Sequence, residues 1–101
     1  MTLHPLFPDL TGPDLAIAWA PLDALSGAAD PLEWEDIASA APHRQREFVA
    51  GRLIARALSD QLCLPPAPLR RAEDRTPVWP ADRVGSLSHC GTLCAAAIGI
   101  P

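Results

Sequence analysis

Proline decides where this chain can be regular. It has 12 prolines, and the longest stretch without one runs from just after Pro42 to the Pro65-Pro66 pair. Proline suits the first turn of a helix but breaks its interior, so this spacing predicts a helix from Pro42 to about Leu62. Within it, Gln45, Arg52, Arg56 and Ser59 recur at helical spacing as one polar stripe. Ala50, Leu53, Ile54, Ala57, Leu58 and Leu62 cover the broad opposite side and are expected to face a core. Gly51 interrupts the helix at a cost of roughly 1 kcal/mol relative to alanine, which points to close approach of another backbone or of a ligand.

The remaining elements follow from local patterns. Residues 1–13 hold three prolines and Gly12 and read as an irregular lead-in. "DLAIAWA" (14–20) alternates, with Leu15, Ile17 and Trp19 on one side of a half-buried strand. "PLDALSGAA" reads as a turn or short helical connection. Asp30 is a good helix N-cap, followed by Pro31 and by Glu33 where a capping box wants it, so a short helix is expected to end near Ala40. Residues 65–83, rich in proline and arginine, read as an extended loop. "RVGSLSH" and "TLCAAAIGI" then form two strands joined by a tight turn at Cys90-Gly91-Thr92. A chain of 101 residues ordered in this way is one small α+β layer structure.

Charge is divided along the chain. Residues 1–40 carry seven acids and no Lys or Arg, whereas all eight basic residues lie between Arg44 and Arg83, and every one is arginine. The net charge of −4 and pI near 5.1 argue against nucleic acid as a partner, while clustered guanidinium forks suit phosphate. The three cysteines, Cys63, Cys90 and Cys94, are an odd number, and "MTLHPLFPDL" lacks the basic start and apolar run of a secretion signal. With no apolar run near the ~18 residues of a membrane span, a reduced, cytoplasmic setting without membrane association is expected.

Three kinds of site compete in "TPVWPADRVGSLSHCG". A serine nucleophile elbow needs G-x-S-x-G, which is absent, and adjacent strand residues such as Ser88 and His89 point to opposite faces. His89, Cys90 and Cys94 could ligate zinc, but C-x-x-x-C within a strand does not converge and no fourth ligand is evident. An anion site would draw His89 from a strand end, Arg52 and Arg56 from the helix stripe and Arg75 from the loop. The residues alone leave this reading level with its alternative, in which the arginines are a solvated helix face and His89 is a satisfied, partly buried residue.

"RQREFVAGRLIARAL" (44–58) followed by "EDRTPVWPADRVGSLSHCGTLCAAAIG" (73–99) resembles the 4'-phosphopantetheinyl transferases of the enterobactin-synthase-component type, over residues 41–99. The markers are A-G-R on a helix, R-x-P-x-W-P, then G-S-L-S-H-C. The resemblance implies transfer of phosphopantetheine from coenzyme A to a serine of an apo acyl or peptidyl carrier protein, with siderophore (enterobactin) biosynthesis as one setting. It implies a pseudodimer of two α+β halves, each a small antiparallel sheet packed on a long helix, with coenzyme A held between them. Among these residues it places Arg52, His89 and Arg75 on coenzyme A phosphates, Ser88 beside the nucleotide, and Arg44 and Arg46 in a basic lead-in.

The family's magnesium ligands and its catalytic lysine belong to a later G-[IV]-D-[IVL]-E and W/F-x-x-K-E stretch. The last residues, "AIGIP" up to Pro101, carry no carboxylate. The Asp and Glu ligands are therefore expected beyond Pro101, and no catalytic or metal residue within this chain. Residues 1–101 are thus expected to be one N-terminal domain, with 1–40 a lead-in strand and short helix, 41–101 the recognisable core, and the metal-binding half absent. Such a chain would be inactive by itself. The alternative is a non-catalytic coenzyme A or nucleotide-binding module, or an interaction module for a separate C-terminal half. A bared face is also expected, with Trp34, Phe48 or Trp79 uncovered and the C-terminal strand offering an unpaired edge.

Overall fold

A computed structural model describes residues 2–101. Four strands, β1 (His4–Pro5), β2 (Leu15–Pro21), β5 (Val84–Cys90) and β6 (Leu93–Gly99), form one antiparallel sheet in the order β1-β2-β6-β5. Two helices, α1 (Pro31–Glu35) and α2 (Pro42–Gln61), lie between β2 and a small hairpin, β3 (Arg70–Arg71) with β4 (Pro77–Val78). The architecture is α+β, an antiparallel sheet packed on a long helix.

Alternation assigns the sheet faces. Ala16, Ala18 and Ala20 of β2 and Cys94, Ala96 and Ile98 of β6 are all buried, and the register pairs Ala16 with Ile98, Ala18 with Ala96 and Ala20 with Cys94. This face is small-residue ground on which α2 settles through Ala50, Ile54, Ala55 and Leu58, with little side chain between helix and sheet. Leu15, Ile17 and Trp19 do share one side, but it is the outer one, where Trp19 stacks on His4.

Two glycines fix how the layers meet. A Cβ on Gly85 would lie 2.6 Å from the Trp79 ring and 2.7 Å from the Ala97 carbonyl. The tryptophan of "PVWP" can therefore cross β5 only where "VGS" has no side chain. On α2, a Cβ at Gly51 would touch Leu87 of β5 at 3.4 Å, so the neighbour that approaches the missing side chain is a strand residue.

Several expectations need correction. The lead-in is not wholly irregular, since β1 pairs with β2. Helix α1 stops at Glu35, with hydrogen-bonded turns through Ala40. Residues 65–83 contain the β3–β4 hairpin. The polar stripe of α2 is solvated only in part: Arg56 is exposed, but Arg52 and Ser59 are buried, because α1 and the segment 66–71 lie across them. The C-terminal strand has no free edge, as β6 is central and β5 is at the sheet border. Beyond β6 the chain leaves the sheet: the Ile100 N–H donates to the Asp14 carbonyl at 2.9 Å, and Pro101 is exposed. Phe48 is buried and Trp79 packs on the core; Trp34 alone of the three is exposed, at 42%.

Candidate functional site

A hollow of about 210 Å³ opens where α2, the β3–β4 hairpin and the end of β5 meet. Helix α2 contributes Arg44, Glu47, Phe48, Gly51 and Arg52, whose spacings of three, one, three and one place them on a single helix face. The hairpin contributes Arg71, Arg75 and Pro77, and β5 contributes Leu87 and His89. His89 reaches this side because it alternates with Gly85 and Leu87, and it lies opposite Cys94 in the register. Four arginines and one histidine thus line the hollow, against one carboxylate, Glu47.

Arg52 is the best-built member. It is only 7% exposed, its guanidinium carbon lies 3.7 Å from the Phe48 ring centroid, and its Nε–H donates to the Leu69 carbonyl at 3.0 Å. Among the described residues its Nη groups have no hydrogen-bond partner, yet no buried side-chain nitrogen or oxygen lacks one. The Nη groups therefore reach open space. Arg52 borders the 210 Å³ hollow and, on its other side, a space of about 20 Å³, which is room for a single water. Burial pushes the guanidinium down to about 10; Arg71 acts in the same direction, while Glu33 and Asp36 oppose it. A buried cation held by one neutral hydrogen bond and a ring gains most from an added anion.

The surrounding scaffold is tied down by carboxylates. Glu33, the buried residue of α1, accepts from the backbone N–H of Asp30 (3.0 Å) and of Leu69 (2.7 Å) and from Arg56 (3.3 Å). It thereby holds α1, α2 and the segment carrying Leu69 together. Asp36 takes Arg70 in a bidentate grip, both bonds 2.9 Å, and also accepts from the Arg71 N–H at 2.9 Å. That hold, chiefly the Arg70 bond, lowers its carboxyl to about 2. It anchors the hairpin so that Arg71 and Arg75 face α2.

The anticipated residues divide cleanly. Arg44, Arg52, Arg75 and His89 share the hollow. Arg56 does not: it pairs with Glu33 and borders a separate depression with Asp30 and Pro66. Arg46 is turned away and pairs with Asp23. Ser88 lies on the outer face of β5, in depressions bordered by Trp19, Leu93 and Ala97, so Ser88 and His89 cannot act as a pair. Two lining residues, Glu47 and Arg71, escape a reading based on one polar stripe. The signal for Glu47 was its position in the face 44-47-48-51-52, which mixes polar with apolar residues and has no hydropathy period.

Chemically the hollow can bind an anion. The magnesium implied by the resemblance finds no donor set here. Among the described residues, which run to Pro101, no three His, Cys, Asp or Glu side chains converge. Glu47 is engaged by His89, Oε2 to Nδ1 at 2.7 Å, and Pro101 and its neighbours stand outside the lining of the hollow. Among the described residues, no helix is long and apolar enough to cross a membrane.

Comparison with known proteins places this arrangement. The family described as "4'-phosphopantetheinyl transferase N-terminal domain" matches residues 32–99. The 4'-phosphopantetheinyl transferase PptT of Mycobacterium tuberculosis is 41% identical over 69 residues, covering 68% of this chain and 30% of the relative. The transferase Svp of Streptomyces mobaraensis is 38% identical over 93 residues, covering 92% and 37%. Enterobactin synthase component D of Escherichia coli is 43% identical over 58 residues, covering 54% and 26%. The chain spans about a third of the length of these curated relatives. Since the matched span includes α2, the hairpin and β5, which line the hollow, this chain belongs to the 4'-phosphopantetheinyl transferase family, as its N-terminal domain.

Proposed function

We propose that this chain holds the phosphate-bearing nucleotide end of coenzyme A for a 4'-phosphopantetheinyl transferase. In that reaction a serine hydroxyl of an apo carrier protein attacks the coenzyme A pyrophosphate, takes the phosphopantetheine and releases adenosine 3',5'-bisphosphate. In this reading Arg52 and His89 donate to phosphate oxygens from opposite walls of the hollow, and Arg44, Arg71 and Arg75 surround the charge. Residues 1–101 act as one unit, with the core from residue 41 lining the site and the first 40 residues adding β2 and the α1 brace. Any metal-binding carboxylates of the reaction would come from sequence beyond Pro101. Arg46 and Ser88 have no part in it.

The observation that carries this reading is Arg52, a buried residue whose Nη groups have no hydrogen-bond partner among the described residues and which borders a hollow shared with His89. Titration calorimetry with coenzyme A and with adenosine 3',5'-bisphosphate tests it. Both should bind, and Arg52→Ala and His89→Ala should each weaken binding about tenfold or more, the worth of a charge-assisted hydrogen bond. Binding unchanged in both variants would refute the assignment.

A second reading, a nucleotide-binding module without catalysis of its own, uses the same arginine-lined hollow. The two separate on adding a chain that carries an acidic G-x-D-x-E segment: a half-enzyme then transfers phosphopantetheine, and a pure binding module does not.

A further inference from the structure

Among the groups lining the hollow, Glu47 has the wrong sign. A carboxylate beside a bound phosphate repels it, and Arg44, Arg52, Arg71 and Arg75 would make a stronger anion site without it. Its contact explains its presence. Glu47 Oε2 lies 2.7 Å from His89 Nδ1, close enough for an ion pair when the ring is protonated, so Nδ1 faces the carboxylate and Nε2 is the ring nitrogen left for a ligand.

A neutral imidazole has one N–H. If Nδ1–H is committed to Glu47, Nε2 carries a lone pair, which repels a phosphate oxygen. Only the imidazolium offers Nε2–H to the anion while keeping Nδ1–H on Glu47. The charged groups facing His89 oppose that state: Arg44 and Arg52 from α2, and Arg71 and Arg75 from the hairpin. Cys94, its partner on β6, is buried with its thiol pushed up by burial and carries no charge. Glu47 is the one group in the lining that favours the imidazolium.

Resting on the anion-site reading above, we infer that Glu47 is a positioning residue that orients His89 and makes it a donor, so that the hollow takes its phosphate together with a proton on Nε2. The anion and the proton enter as a pair, the proton coming from solvent. The ligand class is a phosphate monoester or diester end with oxygens free to accept.

The test turns on sign. If Glu47 is merely a negative charge near the site, Glu47→Gln removes repulsion and tightens binding. On the present account it weakens binding of adenosine 3',5'-bisphosphate about fivefold at pH about 7.5, and by less at pH about 6. In a His89→Ala background the same change should reverse and tighten binding, because the carboxylate then has no partner. Calorimetry in buffers of different ionisation enthalpy should show proton uptake on binding by the unaltered chain, and none by His89→Ala. Glu47→Gln binding as tightly as the unaltered chain, or more so, with no proton uptake, overturns the inference while leaving the anion site standing. No binding of the bisphosphate or of inorganic phosphate by the unaltered chain removes both.

Discussion

Arg75 has a left-handed backbone, φ 73°, at a position in the β3–β4 turn where glycine would fit without steric cost. The turn is otherwise well made. The Thr76 carbonyl accepts from the Ala72 N–H, the Ala72 carbonyl from the Arg75 N–H, and Asp74 from the Thr76 N–H and hydroxyl. An arginine here costs about 1 kcal/mol in backbone strain, and its side chain borders the hollow. The expected outcome of Arg75→Gly is therefore split: the melting temperature rises, by an amount equivalent to about 1 kcal/mol, while affinity for coenzyme A falls. Thermal melting and calorimetry on the same variant check it. A variant that gains stability with unchanged affinity would show that this arginine serves no ligand.

At the scale of elements, much was legible because single residues dictate local backbone. Asp30, Pro31 and Glu33 marked the start of α1, Pro42 and Pro65-Pro66 bounded α2, and the alternation around Gly91 gave the β5–β6 pair. Contacts distant in sequence were not legible. Nothing local states that Glu33 will accept from the Leu69 N–H, or that segment 66–71 will cover Arg52 and make a buried site from an apparently solvated stripe. Nor does composition reveal β3 and β4, two residues each, held in place by Asp36. That brace has a pH signature. The Asp36 carboxyl lies at about 2 in the folded chain against an ordinary 3.8, so its contribution to stability is complete above about 3.8 and is lost as pH falls toward 2. Melting temperature should drop across that interval. Asp36→Asn should start lower at neutral pH and lose less on acidification; equal acid slopes in the two proteins would contradict the brace.

The whole molecule joins two charge regimes. The acidic first 40 residues supply the carboxylates, Glu33 and Asp36, that brace the arginine-bearing second part, and the arginines with no acid assigned to them collect around one hollow. Among the described residues, the Arg44, Arg71 and Arg75 side chains make no hydrogen bond or ion pair within the protein, whereas Arg46, Arg56, Arg70 and Arg83 are all paired. The most direct measurement of the central claim is an NMR shift map of the isotope-labelled chain titrated with adenosine 3',5'-bisphosphate. The account predicts the largest changes at residues 44–52, 71–77 and the His89 ring, with the Trp19 indole on the outer sheet face unmoved. Changes centred on Trp19 and Leu93, or beside Arg56 and Pro66, with Arg52 and His89 silent, would contradict it.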